Sequence, residues 1–445
     1  MVLSQAQEKK DYNFLGDENL IILIGLSIGL FVNFLLPNDY LALLCSLLVC
    51  LYMFFCKIDN LLPAMVFFSL FAYIFYVAHY QIYIFVCISF IARAMISTTK
   101  RFMAGLILVP LYFIIHLLTS DIFALKLSDF IPFFIMICLY FACDIYKPKY
   151  RQKIIVYFLT GHVISTIMGL FKEMTRLKNI LDIDHSGLVT GDLTVRFSGL
   201  SYDANFYAIV AIVALCILLY NFDFEIKNPV IWVGLVIFTS IFGLLTYSKS
   251  YFLCFVLLLA FSLFKCNNAI KKKHLILGAV IIIGLILFWS EFEVLIESII
   301  ARFGGKEGTM DDLTTGRTEV WKGYIERIFT SDLVTFLFGH GAQYAPGLKA
   351  AHNTYLEILY KFGFVGFCFE LAFLTYCYQQ IKGKKAKNTL QSYLLAGLLI
   401  LLFFNLSAYS AYNFVVSIFM GIILIKNDER QKIEKIELDM RVNER

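Results

Sequence analysis

The sequence predicts an all-α, polytopic integral membrane protein of about 14 transmembrane helices, with a large extracytoplasmic loop containing an amphipathic helix. Three observations carry this prediction. Hydrophobic residues make up 60% of the 445 and charged residues 16%, with a mean hydropathy of +0.76, whereas soluble chains run to roughly 45–50% apolar and about 25% charged. Apolar runs near the ~20 residues needed to cross a bilayer recur along the chain. The loops between them alternate in charge as the positive-inside rule requires. No internal repeat or low-complexity linker interrupts the pattern, so residues 1–445 read as a single membrane domain.

In chain order, residues 1–19 carry Glu8, Lys9, Lys10, Asp11, Asp17 and Glu18 without a small-residue cleavage site. They read as a cytosolic tail and not as a signal peptide. Spans are expected at 20–36, 40–56, 61–78, 81–97, 102–118, 129–146 and 153–171, then at 204–221, 229–247, 250–264 and 274–290, and finally at 354–377, 390–406 and 409–425. Residues 426–445 form a second cytosolic tail. With the N-terminus inside, one cytosolic loop holds Arg93, Lys100 and Arg101, and the next holds Lys147, Lys149, Arg151 and Lys153. Later inside loops hold Lys265, Lys271, Lys272 and Lys273, then Lys382, Lys384, Lys385 and Lys387. The short outside loops hold only Lys126 and Lys249. The 222–228 loop, with Asp223, Glu225 and Lys227, adds nothing to this asymmetry. Both termini are therefore placed in the cytosol. The long loops 172–203 and 291–352, and the turn Ser248-Lys249-Ser250, fall on the extracytoplasmic side.

Composition also narrows the chemistry. The formal charge of +5 is mild, and nothing points to a nucleic-acid partner. The eleven cysteines lie almost entirely within apolar runs and none lies in the two long loops, so neither a disulfide frame nor a cysteine-based zinc site is indicated. The extracytoplasmic compartment lacks ATP and sugar nucleotides. A synthetic reaction there needs a substrate that arrives already activated, and a lipid carrier is the natural vehicle.

Three cations stand at expected helix edges on that outer side. Arg196 lies in Val195-Arg196-Phe197-Ser198-Gly199, Lys249 occupies a turn of a few residues, and Arg317 begins an amphipathic stretch with Val320, Tyr324, Ile325 and Ile328 on one face. Guanidinium forks bind phosphate oxygens bidentately, and lysine supplies a point charge. When a sugar leaves from diphosphate, fixed cations stabilise the charge that develops. Each cation also has a purely structural reading. Arg317 can pair with Glu319 or Asp312, Arg196 can bond backbone carbonyls of its own loop, and Lys249 can snorkel to headgroups. His352 is the candidate base, since the helix starting beside it disfavours the protonated imidazole, and Asp203 is the alternative. His340 reads as part of the glycine turn Phe338-Gly339-His340-Gly341. Glu357 and Lys361, spaced i,i+4, are able to satisfy each other. Neither cysteines nor histidine clusters mark a metal site in the outside loops, and a metal-independent site without a cofactor is expected.

In this order of elements the chain resembles the O-antigen ligase and Wzy-type polysaccharide polymerase superfamily. Arg196-Phe197-Ser198-Gly199 with Asn205 is similar to an Arg-x-x-Gly element leading to an Asn, and Tyr247-Ser248-Lys249-Ser250 to a Ser-Arg turn with Lys in place of Arg. Gly316-Arg317-x-x-x-Trp321 resembles a Gly-Arg element. Phe338-Gly339-His340-Gly341, then His352-Asn353-x-Tyr355-Leu356 and Gly363-x-x-Gly366, resemble the closing element. The resemblance implies transfer of a glycan from undecaprenyl diphosphate to an acceptor hydroxyl at the outer face of the bacterial cytoplasmic (inner) membrane. Arg196 and Arg317 would hold the diphosphate, His352 would activate or position the acceptor, and Lys249, Asn205, Asn353, Tyr355 and Trp321 would contribute to substrate binding. A lipid-linked donor and acceptor, a polysaccharide flippase and a chain-length regulator are the partners implied. The expected activity is polymerization of O-antigen, capsule or exopolysaccharide repeat units. The alternatives are a ligase acting on lipid A core and, from another class, a lipid-linked oligosaccharide transporter or flippase. A transporter calls for intramembrane charges and broken helices.

Overall fold

A computed structural model describes residues 17–97 (apart from 75, 78–79 and 82), 151–181, 196–220 (apart from 202), 228–264, 293, 317–341 and 347–382. The spans expected at 102–118, 129–146, 274–290, 390–406 and 409–425 lie outside the described residues, as do both tails except for 17–19. What is described is mostly helical. The first three helices are α1 (Glu18–Leu35), α2 (Asp39–Phe55) and α3 (Ile58–Ser69). A 3-10 turn (Ala72–Ile74) and a two-residue hairpin pairing β1 (Tyr76–Val77) with β2 (Tyr80–Gln81) follow. Then come α4 (Tyr83–Ser97), α5 (Arg151–Leu181), α6 (Ala204–Tyr220), α7 (Pro229–Leu244) and α8 (Lys249–Phe264). The last three are α9 (Arg317–Thr330), α10 (Leu333–Phe338) and α11 (Thr354–Lys382).

Short polar side chains start several of these helices where the apolar runs begin. Asp17 accepts from the Asn19 N–H at 3.1 Å, Asn38 from those of Tyr40 and Leu41 at 3.0 Å, and Asn228 from that of Val230 at 2.9 Å. Each such cap satisfies otherwise orphaned donors and contributes about 1 kcal/mol.

The outward faces carry the membrane character. Helix α1 buries Leu20, Leu23, Ser27, Leu30 and Phe31 at three- and four-residue spacing, yet leaves Ile21, Ile22, Ile28 and Val32 exposed. Helix α2 repeats this, with Leu43, Leu44, Leu47 and Leu51 facing out. Apolar faces of this extent suit hydrocarbon, since soluble monomers rarely present them to water. The stretches Glu18–Leu35 and Lys153–Lys172 are long and apolar enough to cross a membrane.

Helix α6 is the hub. It is buried from Tyr207 to Leu219 on every side and packs against α5, α7 and α8. The Trp232 indole of α7 donates to the Leu218 carbonyl at 2.8 Å and fixes their register. Three neighbours thus set the N-terminal end of α6, where Asp203 and Asn205 stand.

Four expectations need correction. The span expected at 61–78 stops at Ser69, because the aromatic and β-branched run Tyr73-Ile74-Phe75-Tyr76-Val77 feeds a tight hairpin; short apolar runs carry little periodicity of their own. Helix α5 runs to Leu181, so the loop expected at 172–203 begins as helix, its residues Lys172-Glu173-Met174 being good helix formers. On α9, Tyr324 and Ile328 are buried but Ile325 is 43% exposed, since a residue next to Tyr324 lies about 100° round the helix. Lastly, the span expected at 354–377 is broken at Gly363, whose φ is 67° and ψ −172°.

The break has a clear cause. The Gly339 turn enters the helix there, and a Cβ on Gly363 would lie 2.4 Å from the Leu337 carbonyl oxygen. The carbonyls of Tyr360 and Lys361 accept the N–H groups of His340 at 2.8 Å and Gly341 at 3.1 Å. Gly363→Ala is accordingly expected to destabilise the fold by about 3 kcal/mol, through steric overlap and a left-handed backbone. A thermal midpoint within a degree of the parent protein in detergent would contradict this.

Candidate active site

The segment before α6 is tied down at both ends. The Phe197 N–H donates to the Leu245 carbonyl at 2.9 Å, joining this loop to the turn between α7 and α8. Arg196 donates from Nε to the Thr246 carbonyl at 2.8 Å and from Nη2 to Asn205 Oδ1 at 3.1 Å. Asp203 Oδ1 accepts the Asn205 N–H at 2.6 Å, and the Asp203 carbonyl accepts those of Phe206 and Tyr207. Asp203 therefore starts α6 and keeps its carboxylate at the helix end. Through Nε, Arg196 bonds a carbonyl of the turn between α7 and α8 and not one of its own loop. The same contact sets Arg196 beside the turn that carries Lys249, the first residue of α8.

A residue not singled out from the sequence holds this loop from below. Lys172 of α5 donates to Ser198 Oγ at 3.2 Å, to the Gly199 carbonyl at 3.0 Å and to the Ser201 carbonyl at 3.3 Å. Its only sequence signal is a lysine closing an apolar run, which reads as an interfacial charge. The backbones also meet closely: a Cβ on Gly169 would lie 2.4 Å from Gly199 Cα, and Gly199 itself has φ 56°. Tyr207 fills the space beneath Gly199, packs edge-on to Phe197 and shares a 2.8 Å hydrogen bond with Thr166. Lys172→Met should loosen the Arg196–Asp203 loop by about 1–3 kcal/mol, since charge-assisted hydrogen bonds are lost. Faster amide exchange across residues 197–203, with α1 and α2 unchanged, is the expected result.

Arg317 and His352 approach from the other half. Arg317 opens α9, is half-buried, and has its pKa lowered chiefly by burial, with the Asp203 carboxylate opposing the shift. His352 is held below the ordinary imidazole value first by burial and then by the Arg317 guanidinium, while Asp203 again acts in the opposite sense. A carboxylate, a guanidinium and a neutral-leaning imidazole thus share one half-buried cluster at the N-terminal end of α6. Among the described residues, the Asp203 carboxylate acts on Arg317.

His352 lies just before the start of α11. Asn353 caps α11, its Oδ1 accepting from Tyr355 at 3.1 Å and Leu356 at 3.2 Å, so His352 stands one residue outside the helix. Its φ is 49°, a left-handed conformation that costs a non-glycine residue about 1–3 kcal/mol. Burial first, and then the Arg317 guanidinium, lower its basicity. The His352 N–H donates to Glu357 Oε1 at 3.1 Å, and Glu357 pairs with Lys361 at 3.4 Å as their spacing predicts.

The remaining candidates form a frame around this cluster. The Trp321 indole N–H donates to the Ala351 carbonyl at 2.7 Å, and the Tyr324 hydroxyl to that of Lys349 at 3.2 Å, so α9 holds the strand of chain leading to His352. Tyr355 packs against the main core. Asn205, Asn353 and Trp321, expected to touch substrate, each use a polar atom within the protein. His340 stacks on Tyr360 with ring centroids 4.3 Å apart and meets Ser331 Oγ at 2.8 Å, in keeping with a place in a glycine turn. Among the described residues no group of three or more His, Cys, Asp or Glu side chains is placed to hold a metal ion.

Chemically, the cluster offers a fixed cation in a partly dehydrated setting beside a base that is neutral at physiological pH. Residues 233–369 match the sequence profile of a family described as O-antigen ligase. The matched region includes Lys249, Arg317, Trp321, His352, Asn353 and Tyr355; Arg196, Asp203 and Asn205 precede it. No curated protein matches the chain.

Proposed function

We propose that this chain, whose residues 233–369 match the O-antigen ligase family, is a membrane glycosyltransferase polymerizing undecaprenyl-diphosphate-linked oligosaccharide repeat units. The observation that carries this reading is the electrostatic coupling of Arg317, His352 and Asp203, all half-buried, with Asp203 at the start of α6. Arg317, with Arg196 and Lys249 on the neighbouring turn, meets the diphosphate of the donor. His352 takes the proton of the acceptor hydroxyl as the glycosidic bond forms, and the lipid diphosphate leaves with its charge met by the cations. The acceptor oxygen bonds to the anomeric carbon, the carbon–oxygen bond to the diphosphate breaks, and the proton ends on the imidazole. The reading uses no metal.

The polymerase reading is favoured over the ligase by the span count and the outer loops expected from the sequence. Incubating purified protein with a lipid-diphosphate repeat unit, with and without lipid A core, separates them. A ladder formed without core supports polymerization; a single transfer that requires core would replace it with ligation.

A transporter draws on one observation, the buried Glu357–Lys361 pair near the break at Gly363. Those groups are engaged locally, however. Glu357 holds the His352 peptide, and the glycine turn fills the break. Reconstituted protein that moves a labelled lipid-linked sugar across liposomes without forming polymer would favour transport.

A further inference from the structure

We propose that Glu357 is a positioning residue for His352: its side-chain oxygen, with the carboxylate charge balanced by Lys361, accepts the His352 N–H and locks that peptide in the left-handed turn that brings the imidazole to Arg317 and Asp203. The inference rests on the reading of His352 as the acceptor base. Glu357 and Lys361 are 0% and 1% exposed, within a helix expected to enter the membrane. Ionised pairs at such depth seldom add stability over apolar side chains of the same volume, so their presence asks for another role. The geometry supplies one. Glu357 Oε1 takes the His352 N–H at 3.1 Å while Oε2 faces Lys361 Nζ at 3.4 Å. The Lys361 carbonyl in turn receives the Gly341 N–H at 3.1 Å, two residues before the break at Gly363. One continuous chain of contacts therefore runs from the glycine turn through Lys361 and Glu357 to the peptide of His352.

A bare structural role for the pair requires only that both charges be satisfied or both be absent. A positioning role requires an acceptor for the His352 N–H. Two charge-neutral double variants distinguish these. Glu357→Gln/Lys361→Met keeps an amide oxygen in place, whereas Glu357→Leu/Lys361→Met has none. With purified full-length protein and a lipid-diphosphate repeat unit, the Gln/Met variant is expected to keep kcat within about threefold of the parent. The Leu/Met variant should lose about 10²-fold in kcat, as expected for a displaced base, with KM for the donor little changed. Amide exchange at His352 should be slow in the parent and the Gln/Met variant and faster in the Leu/Met variant. Equal kcat and equal exchange in the two double variants would overturn the proposal. If the parent forms no polymer, the functional reading fails, while the exchange comparison still decides the tether. If the Leu/Met variant does not accumulate, the Gln/Met variant decides it: slow exchange at His352 supports the tether, and exchange as fast as in an unstructured peptide overturns it.

Discussion

Replacing Arg317 by alanine is expected to lower glycan transfer by roughly 10²–10³-fold, the loss typical when a fixed group facing developing negative charge is removed. Arg317 is half-buried at the first turn of α9, with Asp203 as the opposing charge and the Trp321 indole anchoring the same helix to Ala351. Truncation therefore removes a cation whose position the fold has already set, without unpicking the helix. A lysine in its place restores charge but not the bidentate fork and should recover only part of the rate. The measurement is polymer length and initial rate at matched membrane abundance. Wild-type ladders from Arg317→Ala would remove the residue from the site.

His352→Ala is expected to cost roughly 10²–10⁴-fold, the range for losing a positioned general base. A pH profile tests the assignment more sharply. The base must be neutral to act, and burial with the Arg317 cation lowers its pKa. The rate should therefore hold from neutral pH down past the ordinary imidazole value of about 6.5 before it falls. Removing the cation, as in Arg317→Gln, should move the acidic limb to higher pH. Asp203→Asn removes the carboxylate that raises the same pKa and should move it lower. Should the acidic limb disappear in Asp203→Asn and persist in His352→Gln, the aspartate would be the base.

Much of this was legible in the sequence, for physical reasons that differ by residue. Charges at the edges of apolar runs are costly enough to stand out, and Arg196, Lys249, Arg317 and His352 stand out for that reason. The pairing of Glu357 with Lys361 follows from the helical rise. What the sequence concealed depends on contacts between distant segments. Lys172 is an ordinary interfacial lysine until the Ser198–Ser201 backbone folds over it. The tether from Glu357 to His352 spans five residues across a helix start, where no periodic rule applies. The break in α11 needed both Gly339 and Gly363, since either glycine alone is compatible with a continuous helix. The burial of α9 followed the amphipathic stripe except at Ile325, which points outward with Phe329, Leu333 and Val334 and gives this helix pair an exposed apolar side.

The central claim is that Arg317 and His352, brought together at the end of α6, carry out glycan transfer from a lipid diphosphate. Its most direct test is turnover of a defined lipid-diphosphate repeat unit by the purified protein in liposomes, with His352→Ala run in parallel. The parent protein should release lipid diphosphate and build a glycan ladder, and the variant should bind the same donor yet form almost no product. Equal ladders from both proteins, or no release of lipid diphosphate by the parent, would contradict the account.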